Sequence, residues 1–85
     1  MEDEIIAKAE KIVMSMISAL VDRVDLAAVK IEITSSVLLI QISVGSDETG
    51  KVIGKGGRNA SALRAIMGAY GARNRLKSIV EIEES

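Results

Sequence analysis

The apolar pattern of this chain predicts an α+β domain with elements in the order α-β-β-α-α-β. A three-four apolar spacing runs through residues 3–24, and a period-two alternation follows over 29–44. Helical spacing then returns on either side of a glycine-rich turn at Gly54 to Gly57. A three-stranded sheet with its helices packed on one face is the two-layer arrangement that buries all of these apolar stripes. With 85 residues, the chain is expected to form one domain spanning 1–85.

The first helix is expected over 3–24. Ile5, Ile6, Ala9, Ile12, Val13, Met16, Ile17, Leu20, Val21 and Val24 make one broad stripe, with Asp3 as N-cap and Met14 off the stripe. A hairpin over 29–44 comes next. Val29, Ile31 and Ile33 point one way, Ser35-Ser36 breaks the pattern, and Leu38, Ile40, Ile42 and Val44 resume it. Serines are unusual in a two-residue hairpin turn, which favours glycine and asparagine.

Residues 47–73 read as helix, Gly-x-x-Gly turn, helix, with Asp47 as the N-cap of the first part. Ala60, Leu63, Ile66, Met67 and Tyr70 fall on the buried side of the second helix, Gly68 suits close packing on the sheet, and Asn74 suits the C-terminal cap. Residues 77–83 close the chain as a third strand with Val80 and Ile82 inward. Because the chain is 48% hydrophobic and only 1% aromatic, this core is built from aliphatic side chains and methionine.

The net charge of −1 conceals a segregation. Residues 51–77 carry seven basic side chains and no acid, +7, against −8 for the remainder. Such a segment presents a local positive field, the footprint of a nucleic-acid partner. The chain has no cysteine and no histidine, so it lacks the usual thiol nucleophile, the usual general base and the common metal-ligand motifs. No enzyme activity, cofactor or metal is expected. The acidic start Met1-Glu2-Asp3-Glu4 is unlike a secretory signal, and the apolar run 12–21 is too short for a bilayer, so a cytoplasmic location without membrane association is expected.

The chemistry concentrates at Gly50-Lys51-Val52-Ile53-Gly54-Lys55-Gly56-Gly57-Arg58. Glycines let bare backbone approach a sugar-phosphate chain, the following helix start offers free N–H groups, and Lys55 and Arg58 add charge-assisted contacts to phosphate oxygens. Glycines that only make a bend would not call for the flanking Val52-Ile53 or for the basic residues. Two other phosphate motifs fail. Gly45 to Lys51 fits the start of a P-loop, but Val52 stands where the Mg²⁺-binding hydroxyl belongs, and Asn59 takes the third glycine position of a dinucleotide fingerprint.

Together, Ile53-Gly54-Lys55-Gly56-Gly57 followed by Ala60 and the αββααβ order resemble a type II KH domain. At this stand-alone size the chain is similar to the small bacterial single-KH proteins of the KhpA family. The resemblance covers nearly the whole chain, although Ala60 is small where many KH domains carry isoleucine. It implies RNA chaperoning in the cytoplasm, with single-stranded RNA bound at low sequence stringency. It also implies a homodimer or a heterodimer with a second KH protein, KhpB. Nothing in the residues separates RNA from single-stranded DNA.

The expected binding set is Lys51, Ile53, Gly54, Lys55, Gly56, Gly57, Arg58, Ala60, Ser61 and Arg64, with Ile42, beside Ile40, on the groove floor. A KH loop of this kind clamps about four nucleotides of backbone. Roughly three neutralised phosphates would give a log–log salt slope near −2. The alternative reading is a KH-fold adaptor that assembles with proteins through Val37, Leu39, Ile79 and Met14.

Overall fold

The structure, a computed structural model, describes residues 1–84; Ser85, the last residue of the expected domain, lies outside the described residues. The elements are α1 (Glu2–Leu20), a 3-10 turn Val24–Leu26, β1 (Ala28–Thr34), β2 (Val37–Val44), α2 (Thr49–Ile53), a 3-10 turn Lys55–Gly57, α3 (Arg58–Arg73) and β3 (Lys77–Glu84). The helices cover one face of a three-stranded sheet, the α+β architecture and element order that the sequence predicts. No helix among the described residues is long and apolar enough to cross a membrane.

The sheet order is β1-β2-β3, with β1 antiparallel and β3 parallel to β2. β2 is therefore central, and its alternation decides the core. Leu38, Ile40, Ile42 and Val44 are fully buried beneath the helices, with Ala9, Val13 and Ile17 of α1, Val52 of α2, and Leu63 and Met67 of α3. On the open face, Val37 and Leu39 are half-buried and Ile79 is exposed.

α1 stops at Leu20 rather than continuing to residue 24. Val21 is already extended, and Val24 lies exposed in the 3-10 turn instead of on the buried stripe. The cause is tertiary: the N–H groups of Asp22 and Arg23 are taken by the Glu48 carboxylate, so they are not available to continue the helix. At the other end Met1, not Asp3, holds the cap position, and Asp3 joins Glu2 and Glu4 in the first turn, where acids suit the dipole. Met14 is half-buried.

α3 differs from the expected pattern at two places. Ile66 is 47% exposed, while Gly71 is buried. A Cβ on Gly71 would meet the Leu76 carbonyl oxygen at 3.0 Å and Ser78 Cβ at 3.1 Å, whereas one on Gly68 would meet nothing within 4 Å. Gly71 is thus the close-approach residue between α3 and β3. Asn74 caps α3 and donates through Nδ2 to the Tyr70 carbonyl at 2.9 Å.

The hairpin turn places both serines in the left-handed region, Ser35 at φ 50° and Ser36 at φ 63°. That geometry matches the twist of the flanking strands but strains residues that carry a Cβ. Replacing the pair, Ser35→Asn with Ser36→Gly, is therefore expected to stabilise the fold by about 1 kcal/mol. The check is a thermal or denaturant melt, in which the double variant unfolds later than the wild type.

Candidate nucleic-acid interface

Gly54, Gly56 and Gly57 all have positive φ, at 79°, 65° and 79°, and together they turn the chain from α2 into α3. Their reasons for being glycine differ. A Cβ on Gly54 would lie 2.6 Å from Asn59 Cγ, because Asn59 folds back over the turn and donates through Nδ2 to the Lys51 carbonyl at 3.0 Å. Gly54 is required by this internal packing, not by an approaching ligand, and Asn59, which in the sequence only breaks a dinucleotide pattern, holds the turn. Around Gly56 and Gly57 a Cβ would meet nothing within 4 Å. That stretch of backbone stands open to solvent, and there glycine answers to conformation alone.

Lys55 and Arg58 are exposed on the turn and at the first residue of α3, and Ser61 is exposed one turn further. Ile53 is 38% exposed at the end of α2 and offers the apolar contact nearest the turn. Ala60 faces inward and is only 5% exposed. Arg64 turns toward the sheet, where its Nη2 donates to the Val80 carbonyl at 3.2 Å. It thus reaches β3, not the space in front of the turn.

Besides Arg64, two more expected contributors are placed elsewhere. Ile42 is fully buried, as is Ile40, so neither forms the floor of an open groove. The alternation was read correctly, but their side of the central strand is the one the helices cover. Lys51 is held by acids: its Nζ is 2.6 Å from Asp22 Oδ2 and 3.3 Å from Glu48 Oε2. The Asp22 contact first, and then Glu48, raises the Lys51 pKa. Lys51 is therefore already paired rather than free for phosphate.

Glu48 anchors this corner. It is the one buried charged side chain among the described residues. Its carboxylate accepts from the Asp22 N–H at 2.6 Å and the Arg23 N–H at 3.0 Å, joining the end of α1 to the start of α2. The expected cap Asp47 gives way to Glu48, which holds the cap position of α2. The Asp22 N–H is the largest influence lowering the Glu48 pKa; burial opposes it, and the Arg23 N–H and Lys51 support it. Glu48, three residues before Lys51, was legible as a helical neighbour, but its backbone partners 25 and 26 residues away carried no local signal.

The chain matches the family model described as KhpA/KhpB, KH domain over residues 10–82. It is 36% identical over 75 residues to RNA-binding protein KhpA of Listeria monocytogenes, covering 88% of this chain and 99% of that protein. Against RNA-binding protein KhpA of Bacillus subtilis the identity is 37% over 73 residues, 86% of this chain and 90% of the relative. RNA-binding protein KhpA of Mycobacterium leprae is 32% identical over 69 residues, 81% and 86% of the two chains. No solved structure is a significant match.

The buried carboxylate makes a pH prediction. Because the Glu48 pKa lies below its ordinary value of 4.5, its contribution to stability is present above that value and is lost as pH falls through the lowered pKa. A Glu48→Gln variant keeps one acceptor oxygen for two backbone N–H groups, leaving one unsatisfied. It is expected to melt several degrees below wild type at neutral pH, with the gap closing in acid below about 4.5. A gap that stays constant across the acid range would show that the Glu48 charge does not anchor this corner.

Proposed function

This chain belongs to the KhpA/KhpB KH-domain family, and we propose that it binds single-stranded RNA through the Gly54–Gly57 turn with low sequence stringency. The observation that carries this reading is the open backbone at Gly56 and Gly57, flanked by exposed Lys55 and Arg58 and running directly into α3. Glycines that the fold does not crowd, set between exposed cations, suit a sugar-phosphate chain lying against the turn. Curated relatives named as RNA-binding proteins support the same partner.

In this reading Lys55 and Arg58 contact phosphates, the turn grips about four nucleotides, and Ile53 gives an apolar contact for a base. Ser61 adds a hydroxyl beside the strand, while Ala60 keeps the helix start slim behind the turn. Arg64 acts from the β3 side, at Val80, and not as a phosphate contact. Binding, not catalysis, is the proposed activity. RNA chaperoning in the cytoplasm, as a homodimer or beside a second KH protein, is the role that fits a small clamp with few base-specific groups.

The test is binding of a labelled unstructured RNA, and of the same sequence as single-stranded DNA, at two salt concentrations. Gly56 sits at φ 65°, where aspartate is tolerated better than most residues, so a Lys55→Asp/Gly56→Asp variant is expected to fold by circular dichroism and to lose binding. A charge-only variant, Lys55→Gln/Arg58→Gln, is expected to weaken binding and flatten its salt dependence. If both folded variants bind as wild type does, the clamp reading fails and the open sheet face becomes the surface to examine.

Asp22 yields a second prediction in the opposite direction. With Lys51 paired, roughly two phosphates are neutralised, for a log–log salt slope near −1.4. Asp22→Asn releases Lys51 from its shorter contact and is expected to tighten RNA binding at low salt and steepen the slope by about 0.7. A salt titration of the two proteins on one RNA decides it, and an unchanged slope would show that Lys51 does not reach the bound strand.

A further inference from the structure

At the end of the domain away from the turn, the start of α1 and the end of α3 enclose a hollow of 280 Å³. Ile5, Lys8, Tyr70, Arg73 and Asn74 line it, with Glu4. Tyr70 is the sole aromatic residue of the chain. Its hydroxyl donates to the Ile5 carbonyl at 2.7 Å, and Asn74 Nδ2 donates to its own carbonyl at 2.9 Å. The hydroxyl bond holds the tip of the ring, and the Asn74 bond holds the backbone that carries it, at the wall of an open hollow. Lys8 and Arg73 have no ion-pair partner among the described residues; Glu4 lines the hollow beside them, and Glu2 and Asp3 share its helical turn. Arg73 lies close enough to the phenol to oppose the upward push that burial gives the Tyr70 pKa.

We infer that this hollow is a second contact for the RNA strand, holding one nucleotide with its base against the Tyr70 ring and its phosphate between Lys8 and Arg73. The inference rests on the RNA-binding reading above and extends its footprint. A volume just under the ~300 Å³ at which small-molecule sites begin suits one nucleotide. A fixed aromatic ring is a stacking platform for any base, and two unpaired cations meet a phosphodiester. The route from the turn is open. α3 has 16 residues and is about 24 Å long, and it begins at the turn and ends at the hollow. Its exposed side carries Ala62, Ala65, Ile66 and Ala69, and residues 51–77 contain no acid to repel the strand.

The experiment compares two unstructured RNAs: one of about five nucleotides, just longer than the four that a KH turn clamps, and one of about fifteen, within the range single-strand sites cover. The longer strand gains binding registers on any model, so the quantity read is the ratio of variant to wild type at each length. Lys8→Gln/Arg73→Gln is expected to leave the short strand within about twofold, weaken the long strand several-fold and flatten its salt slope by about 0.7. Tyr70→Leu is expected to weaken the long strand by roughly tenfold, whereas Tyr70→Phe, which keeps the ring, retains its affinity.

The single tyrosine gives a direct signal, because its ring resonances are expected to shift with the long strand and stay in place with the short one. Equal ratios at both lengths, or ring resonances that ignore the long strand, would overturn the inference and leave the clamp reading standing. If wild type binds neither strand, the RNA reading itself falls, and this contact with it.

Discussion

The parallel pairing of β3 with β2 is the constraint on which the rest of the molecule depends. An antiparallel neighbour can be reached by a two-residue turn, as β1 reaches β2 through Ser35 and Ser36. A parallel neighbour demands that the chain travel back along the sheet before it pairs. Everything from Gly45 to Leu76 is that return journey. The turn at Gly54–Gly57 is its bend, α3 is its long leg, and Gly71 is where the leg presses onto the start of β3. The candidate interface is thus not an appendage. It is the crossover that the sheet cannot close without, which gives a glycine-rich turn a rigid base.

Glu48 fixes the near end of that crossover. A buried carboxylate is costly unless its charge is met, and here two backbone N–H groups and the Lys51 ammonium meet it. The bonds serve both partners. They satisfy donors exposed when α1 stops at Leu20, and they hold the start of α2 against the end of α1. The same economy explains Gly54 and Asn59, where a side-chain amide replaces part of the turn's missing internal bonding and leaves no room for a Cβ. The turn is therefore held from behind at Glu48 and from within at Asn59, while Gly56 and Gly57 remain open in front.

The fold was legible because its signals are local. Three-four spacing, alternation and a Gly-x-x-Gly turn each show in a short window, and together they dictate αββααβ. What escaped was whatever depended on contacts across the chain. The true end of α1 is set by a carboxylate 26 residues on, and the pairing of Lys51 by an aspartate 29 residues back. Ile42 was assigned to the groove because alternation names a face without saying what covers it, and that needs the strand order. Ile66, expected inward, is exposed, and the close approach expected of Gly68 falls at Gly71, for a related reason. Helical spacing gives a stripe, but which edge of the stripe meets the sheet is decided by the close approach at Ser78. The turn at the glycines and the exposed positions of Lys55 and Arg58 were readable outright, since a turn needs only sequence neighbours.

The near-neutral total charge is compatible with a polyanionic partner because of where the acids sit. α1 has 19 residues and is about 28 Å long, and its far end, marked by Asp22, lies beside Lys51 at the crossover. The acids Glu2, Asp3 and Glu4 at its start are consequently about three Debye lengths from the turn at physiological ionic strength, where that length is ≈ 8 Å. They contribute almost nothing to the field there. Of the acids nearer the crossover, Asp22 and Glu48 are spent on Lys51 and on backbone N–H groups. Asp47 precedes the α2 cap, and Glu83 and Glu84 lie beside Ser43 and Val44 at the end of β3. A strand at the turn would meet Lys55 and Arg58 without an opposing carboxylate paired to either among the described residues. Net charge is the wrong measure for a site of this size; the sign within one screening length is what a phosphate feels.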